Sequence, residues 1–174
     1  PQEAKAKLRE AIELYAEVRS TLQRLRREVT LPKESFFSQL KLRLYNQNPT
    51  VMLEWVRDNW EELKKQASAP APGLPVAITG SPIPGDLHLR IIEETGFQIR
   101  MHDSCLNERW EPEPLQEDTD PLYQLSYHYI HKLSCPRMEN RGQTIEHIVR
   151  AYQTDVIKGI IHFRMPFCDL HGFD

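Results

Sequence analysis

The sequence is poor in the features that would declare a membrane protein, a secreted scaffold or a nucleotide site. In its 174 residues no run comes near the roughly 18 consecutive apolar residues that a membrane helix needs. The chain opens directly in polar, helix-forming sequence instead of a basic stretch followed by an apolar one, so no targeting leader is expected. Neither sign of charge dominates. The 22 Lys and Arg stand against 25 Asp and Glu, a net charge of -3, which gives no electrostatic ground for binding nucleic acid or a membrane surface. Cysteine is scarce, and three of them cannot all pair within one chain; this fits a reducing cytoplasm better than secretion. They form no CxxC pair. No GxxxxGK(S/T) loop occurs either, so nucleotide chemistry is expected to lie outside this chain. There is no internal repeat and no low-complexity tract. The chain begins at Pro1 without a methionine and ends at Asp174 after a strand-like run, the profile expected of a fragment cut from within a longer subunit.

What is present divides near residue 68. Residues 1–67 carry 13 Lys and Arg against 10 Asp and Glu, whereas residues 68–174 carry 9 against 15, with all seven histidines and all three cysteines. Any chemistry is therefore concentrated in the second part. In the first, Leu8, Ala11, Tyr15, Val18, Leu22, Leu25 and Val29 recur at steps of three and four, predicting one amphipathic helix over 3–29. Phe36, Phe37, Leu40 and Leu44 mark a shorter helix over 34–46. Asn48-Pro49 is a start signal, Asn as cap and Pro at the first helical position, for a helix carrying Met52, Trp55, Val56, Trp60 and Leu63.

Gln66–Pro75, rich in Ala, Pro, Ser and Gly, reads as a linker. After it the period changes. Pro75–Thr79 has the profile of a buried parallel strand and is followed by Gly80-Ser81-Pro82. Asp86–Thr95 reads as a helix with Leu87, Leu89, Ile91 and Ile92, closed by Gly96. Phe97–His102 and Ile157–Phe163 read as further strands, and Leu122–Leu133 and Thr144–Gln153 as helices. Strand, helix, strand, helices, strand predicts an α/β fold: a helical N-terminal segment (1–67) leading into part of a Rossmann-like parallel sheet with right-handed crossovers (68–174), incomplete at its C-terminus.

Cys105, Cys135 and Cys168 are separated by 29 and 32 residues, a spacing that by itself defines no metal motif. Their setting says more. Cys105 follows the second strand in His102-Asp103-Ser104-Cys105, and Cys168 follows the third in Met165-Pro166-Phe167-Cys168. Ligand sites of open α/β sheets lie outside the carboxyl ends of the strands. Cys135, in a loop between helices, is within reach of the same crevice. Three thiolates on one edge would suit a soft metal, while an isolated free cysteine is ordinarily a small buried hydrophobe. Both readings stand on position alone.

The order of short motifs resembles the 2-hydroxyacyl-CoA dehydratase and benzoyl-CoA reductase family over nearly the whole chain. The segment Leu8–Lys65, including the run Leu8–Tyr15 (LREAIELY), looks like the helical stretch before that family's cysteine domains. Ala77–Ser81 (AITGS) matches its strand ending in Gly; Asp103-Ser104-Cys105 with Arg109 matches its Asp-x-Cys followed by Arg. Cys135-Pro136 with Arg141, and Phe167-Cys168-Asp169, match its later motifs. The resemblance implies a subunit in which Cys105, Cys135 and Cys168 hold a 4Fe-4S cluster with a non-cysteine ligand on the fourth iron. Asp103, Arg109, Arg141 and Asp169 would stand around it. It implies an acyl-CoA substrate, a homologous second subunit in a heterodimer, and a separate ATP-dependent iron–sulfur activator. One electron reaches the thioester carbonyl, and the resulting ketyl radical expels a hydroxyl; in the reductase branch an aromatic ring is reduced. Two other readings stay open: a related double-cluster electron-transfer reductase, and a non-catalytic interaction module whose cysteines are structural. Arg109 and Arg141 are equally suited to ordinary loop salt bridges. His102, His162 and His171, near the strand ends, read as surface residues able to supply a proton, and Arg24, Arg26 and Arg27 as a solvated helix face.

Overall fold

The computed structural model describes residues 2–83, 85–104, 120–131, 142–154 and 156–166. Among these described residues seven helices and three strands follow one another in the order α1 Gln2–Glu28, α2 Glu34–Asn46, α3 Pro49–Asp58, α4 Trp60–Ala67, β1 Leu74–Gly80, α5 Leu87–Glu94, β2 Phe97–Ser104, α6 Pro121–His131, α7 Gly142–Gln153 and β3 Gly159–Phe163. The chain is α/β with its helical region first. It forms two compact units: one of α1, most of α2, α3, α4 and α6, the other of β1, α5, β2, α7 and β3 together with Lys33–Ser35 at the head of α2.

The helical unit is built on the stripe that the periodicity picks out. Val18, Leu22, Leu25 and Val29 of the α1 stripe are buried against Phe37, Leu40, Leu44, Leu53, Val56 and Leu63, the expected outcome when an apolar arc three to four residues apart meets other helices. The stripe's first half is shallower: Ala11 is exposed and Tyr15 stacks on Tyr45 with ring centroids 5.9 Å apart. There Lys5 pairs with Asp120, whose other carboxylate oxygen caps α6 by accepting from Leu122 N–H at 3.0 Å. Arg24 and Arg27 are exposed, as a solvated helix face implies, and Arg26 is half-buried; the Arg24 and Arg26 guanidinium groups lie over the rings of Trp60 and Phe37, 4.9 and 5.3 Å from the centroids.

Asn48 caps α3 as its position before Pro49 implies, its side chain accepting from Thr50 N–H at 3.0 Å and Val51 N–H at 3.4 Å. The helix then breaks where the sequence suggested continuity. At Asn59 the backbone turns to φ -109°, ψ 18°, and its side-chain amide donates to Trp55 C=O at 2.8 Å. A short amide that bonds its own preceding turn offers the backbone an alternative to helix, and α4 restarts one residue later.

In the other unit β1 is central: the sheet order is β2-β1-β3 and both pairings are parallel. One face, with Val76, Ile78 and Ile99, packs on Leu89 and Ile92 of α5. The other, with Ala77 and Met101, packs on Ala151 of α7 and on Ile157, which is a buried plug before β3 instead of its first residue. Leu87 and Ile91 of α5 point outward, and Gly96, at φ 93°, closes that helix in the left-handed region only glycine enters freely. The β1–β2 register slips once. Val76 faces Ile99 but Ala77 faces Met101, leaving Arg100 as an extra residue. Side chains alternate along a strand, so this bulge inverts the facing of all that follows: Met101 and Asp103 share the face of Ala77 and Thr79, while His102 and Ser104 share that of Ile78 and Gly80.

Replacing Asn48 by Ala removes the α3 cap without touching the core, and is expected to lower stability by about 1 kcal/mol. Urea denaturation of the two proteins measures it.

Candidate functional site at the carboxyl edge of the sheet

Six buried polar residues, Glu34, Thr79, Ser81, His102, Asp103 and Ser104, gather at the carboxyl ends of β1 and β2, although a buried polar group costs free energy unless it is hydrogen-bonded. In a sheet ordered β2-β1-β3 the connection reverses direction across β1, so the β1–β3 boundary is the place where ligands of open α/β sheets approach.

That boundary is closely stitched. Gly80 ends β1 at φ 109°, and a Cβ there would lie 2.2 Å from Phe163 O. The glycine is thus required twice, by its backbone conformation and by the approach of β3. The next residue, Ser81, is wholly buried; its N–H donates to Phe163 C=O at 2.8 Å and its Oγ accepts from Met165 N–H at 3.2 Å. On the α7 side of the sheet Thr79 stands in register with both Asp103 and His162, and Thr79 Oγ1 lies 2.8 Å from His162 Nδ1. Asp103, Thr79 and His162 therefore form a polar row across three adjacent strands.

On the opposite face His102 is buried, contrary to its reading as a surface residue. Its Nδ1 is 3.1 Å from Glu34 Oε1, both residues being at most 3% exposed; because a carboxylate only accepts, the ring nitrogen donates. Glu34 opens α2, and the head of that helix is held by Glu93 of α5. Glu93 Oε1 accepts from Glu34 N–H at 2.5 Å and Ser35 N–H at 3.4 Å, while Ser35 Oγ donates to Oε2. A carboxylate on the orphan N–H groups of a helix start is favourable. Burial nevertheless pushes the Glu93 carboxyl above its ordinary range, with the charge of Glu34 adding to the rise against the hydrogen bonds from Ser35 and from the Glu34 and Ser35 backbone.

Of the residues singled out in the sequence, Asp103 is described: it is buried, within β2, which runs two residues further than expected, to Ser104. Cys105, Cys135, Cys168, Arg109, Arg141 and Asp169 lie outside the described residues, as does His171. Among the described residues no three His, Cys, Asp or Glu side chains gather as a metal site, and no helix is long and apolar enough to cross a membrane. Sequence reasoning missed Glu34, Ser81 and Thr79. Glu34 was legible only as the first residue of a helix, and its partner is 68 positions away.

A short parallel sheet flanked by helices makes this an α/β protein, and its buried polar residues collect at the edge where open sheets of this class take ligands. Residues 4–174 match the family described as 2-hydroxyglutaryl-CoA dehydratase, D-component. The chain belongs to this family and so to a subunit of a 2-hydroxyacyl-CoA dehydratase-type enzyme, a multi-subunit assembly. No curated protein matches the chain.

Two outcomes follow from the site. Gly80→Ala forces a side chain into the left-handed region, about 1–3 kcal/mol from the backbone alone, and into the Phe163 carbonyl; denaturation should show a loss larger than that range. Glu93 titrates above its ordinary pKa of 4.5, so between that value and the raised one the folded chain holds more protons than the unfolded. Stability from this group is thus greatest below the ordinary pKa and declines as pH rises through the raised one. Glu93→Gln, which cannot ionise, should gain stability relative to the parent across that window; a constant difference between the two, measured by denaturation over pH 4–8 (roughly the span of documented buried carboxyls), would count against it.

Proposed function

We propose that this subunit serves an iron–sulfur enzyme acting on acyl-CoA thioesters by one-electron chemistry, as a 2-hydroxyacyl-CoA dehydratase or a benzoyl-CoA-type reductase. Cys105, Cys135 and Cys168 are the ligands of a 4Fe-4S cluster in this reading. The observation that carries it is the parallel placement of β2 and β3 on either side of β1. Both outer strands deliver their chains at the same end of the sheet, and neighbouring strands lie about 4.8 Å apart, so their ends are separated by about 10 Å. Cys105 is the next residue after β2, and Cys168 is five residues beyond β3, a length of chain that spans up to about 17 Å when extended. Reach is therefore no obstacle to a shared centre.

The donor chemistry fits as well. Three thiolates are the soft ligands that iron–sulfur clusters take, and a three-cysteine set leaves one iron able to exchange its ligand. Held there, the cluster would supply the low-potential electron that one-electron chemistry at a thioester carbonyl needs. The chain's own residues prepare that edge. Buried Asp103 and Ser104 lead into Cys105, with His102 fixed by Glu34 behind them. Arg109, Arg141 and Asp169 complete the charge around the ligands. The electron comes from a separate ATP-dependent iron–sulfur activator, and a homologous second subunit completes the heterodimer. The setting is the cytoplasm.

Anaerobic reconstitution of the intact subunit with iron and sulfide tests the assignment. About four irons per chain and a cluster absorbance are expected, both lost when Cys105, Cys135 and Cys168 are replaced together by Ser. A cluster that survives the triple replacement would remove this ligand set; two fused cubanes would favour the double-cluster reductase, and three inert thiols with no iron the interaction module.

A further inference from the structure

His162 is the penultimate residue of β3, and Thr79 and Asp103 hold the same place in β1 and β2. Register sets the three abreast on the α7 side of the sheet, at its carboxyl edge. Thr79 and Asp103 are buried there, whereas His162 is exposed. The polar row thus runs from the interior to the surface at the β1–β3 boundary, where open sheets take ligands.

Two contacts place the imidazole. Thr79 Oγ1 lies 2.8 Å from Nδ1. Cε1, the carbon between the ring nitrogens, passes beside Gly80, since a Cβ built on that glycine would come within 3.1 Å of it. With Nδ1 turned to Thr79, Nε2 is the nitrogen away from the hydroxyl. The identity of the partner matters. A carboxylate only accepts, so His102 keeps a proton on the nitrogen it sets against Glu34. A hydroxyl both donates and accepts, so Thr79 bonds a neutral Nδ1 as well as a protonated one. The His162 ring can therefore carry a proton on Nε2 in either charge state without losing its hold, and histidine is the side chain that exchanges protons near neutral pH.

We propose that His162 is a proton donor to bound substrate, with Thr79 as its positioning residue: Nε2 delivers the proton to the hydroxyl that leaves C2 of a 2-hydroxyacyl-CoA thioester. This role rests on the acyl-CoA reading above. The C2–O bond breaks with both electrons on oxygen, which takes the Nε2 proton and departs as water. The C3 proton lost as the double bond forms goes to solvent, and solvent returns a proton to the ring. Dehydration is redox-neutral, so an electron lent to the thioester carbonyl is returned and leaves this balance unchanged.

The test uses the intact subunit assembled with its partner subunit, and 2-hydroxyglutaryl-CoA, the thioester of the family description, as the probe. One measurement needs no turnover. Without the activator, modification of His162 by diethylpyrocarbonate is read by peptide mass; the thioester should slow it severalfold, and free CoA, which has no acyl hydroxyl, should slow it less. No sheltering, or equal sheltering by CoA alone, overturns the contact. With the activator added, His162→Gln should lower kcat by about 10²–10⁴-fold with KM little changed, the span of a lost proton donor, and added imidazole should restore part of the rate of His162→Ala. Thr79→Val should lower kcat by about fivefold, the worth of one ordinary hydrogen bond, and Thr79→Ser should recover most of that loss. A His162→Gln enzyme with the parent kcat overturns the proposal, even if its melting temperature falls. Should the His162 variants not fold, the Thr79 pair decides, and a Thr79→Val enzyme with the parent kcat overturns it. A parent that shelters His162 yet dehydrates nothing sinks the dehydratase reading and the proton role with it; an active parent indifferent to His162 sinks the proton role alone.

Discussion

The parallel pairing of β2 and β3 to opposite sides of β1 is the constraint from which the candidate site follows. Parallel strands need crossovers, and crossovers return every strand to the same starting edge; the opposite edge then collects every chain exit. Here that edge receives Gly80-Ser81, Ser104 with Cys105 next in sequence, and Phe163 with Cys168 five residues on. Had either outer pairing been antiparallel, its cysteine would follow a strand ending at the far edge, a sheet length away. The register slip at Arg100 refines the same arrangement. By inverting the alternation it turns His102 toward the face where Glu34 meets it and leaves Asp103 in the row with Thr79 and His162.

Polarity at this edge is expensive, and the structure meets the cost with bonds reaching across long stretches of sequence. Glu34 and His102 satisfy one another in the interior, Glu93 satisfies the start of α2, and Ser81 satisfies an amide beyond β3. None of these is the cheapest way to stabilise a sheet, since apolar residues of similar size would pack there without desolvating a charge. Retaining them at the exits of strands, while the middle of the sheet is Val, Ala, Ile and Met, separates a region that holds the fold from one that holds particular segments in place.

What was legible in the sequence was whatever repeats locally. The α1 stripe, the Asn48-Pro49 start, the Gly96 stop and the three apolar strand runs announce themselves within a few residues, and the structure bears them out. The break at Asn59 was missed because an amide bonding its own preceding turn leaves the apolar period of Trp55, Val56, Trp60 and Leu63 intact. The exposure of His102 was misjudged for a different reason. A histidine reads as a surface residue until its partner is known, and nothing near position 34 in the sequence points to position 102. The bulge at Arg100 was equally hidden, because FQIRMH alternates plausibly in either register. Periodicity conveys which face is apolar; pairing across the fold conveys which polar residues go inside.

The two ends that matter are held by different chemistry, and the difference has consequences. The β2 exit is backed by an ionisable pair, and removing one member of such a buried pair strands the other, at about 3–5 kcal/mol. The β3 exit is held by a neutral hydroxyl and amide, where the loss is about 1 kcal/mol. The first bond is part of the stability of the unit, and it ties His102 to the head of α2. Within the described residues the β2 end is thus backed by the costlier contact and the β3 end by the weaker one.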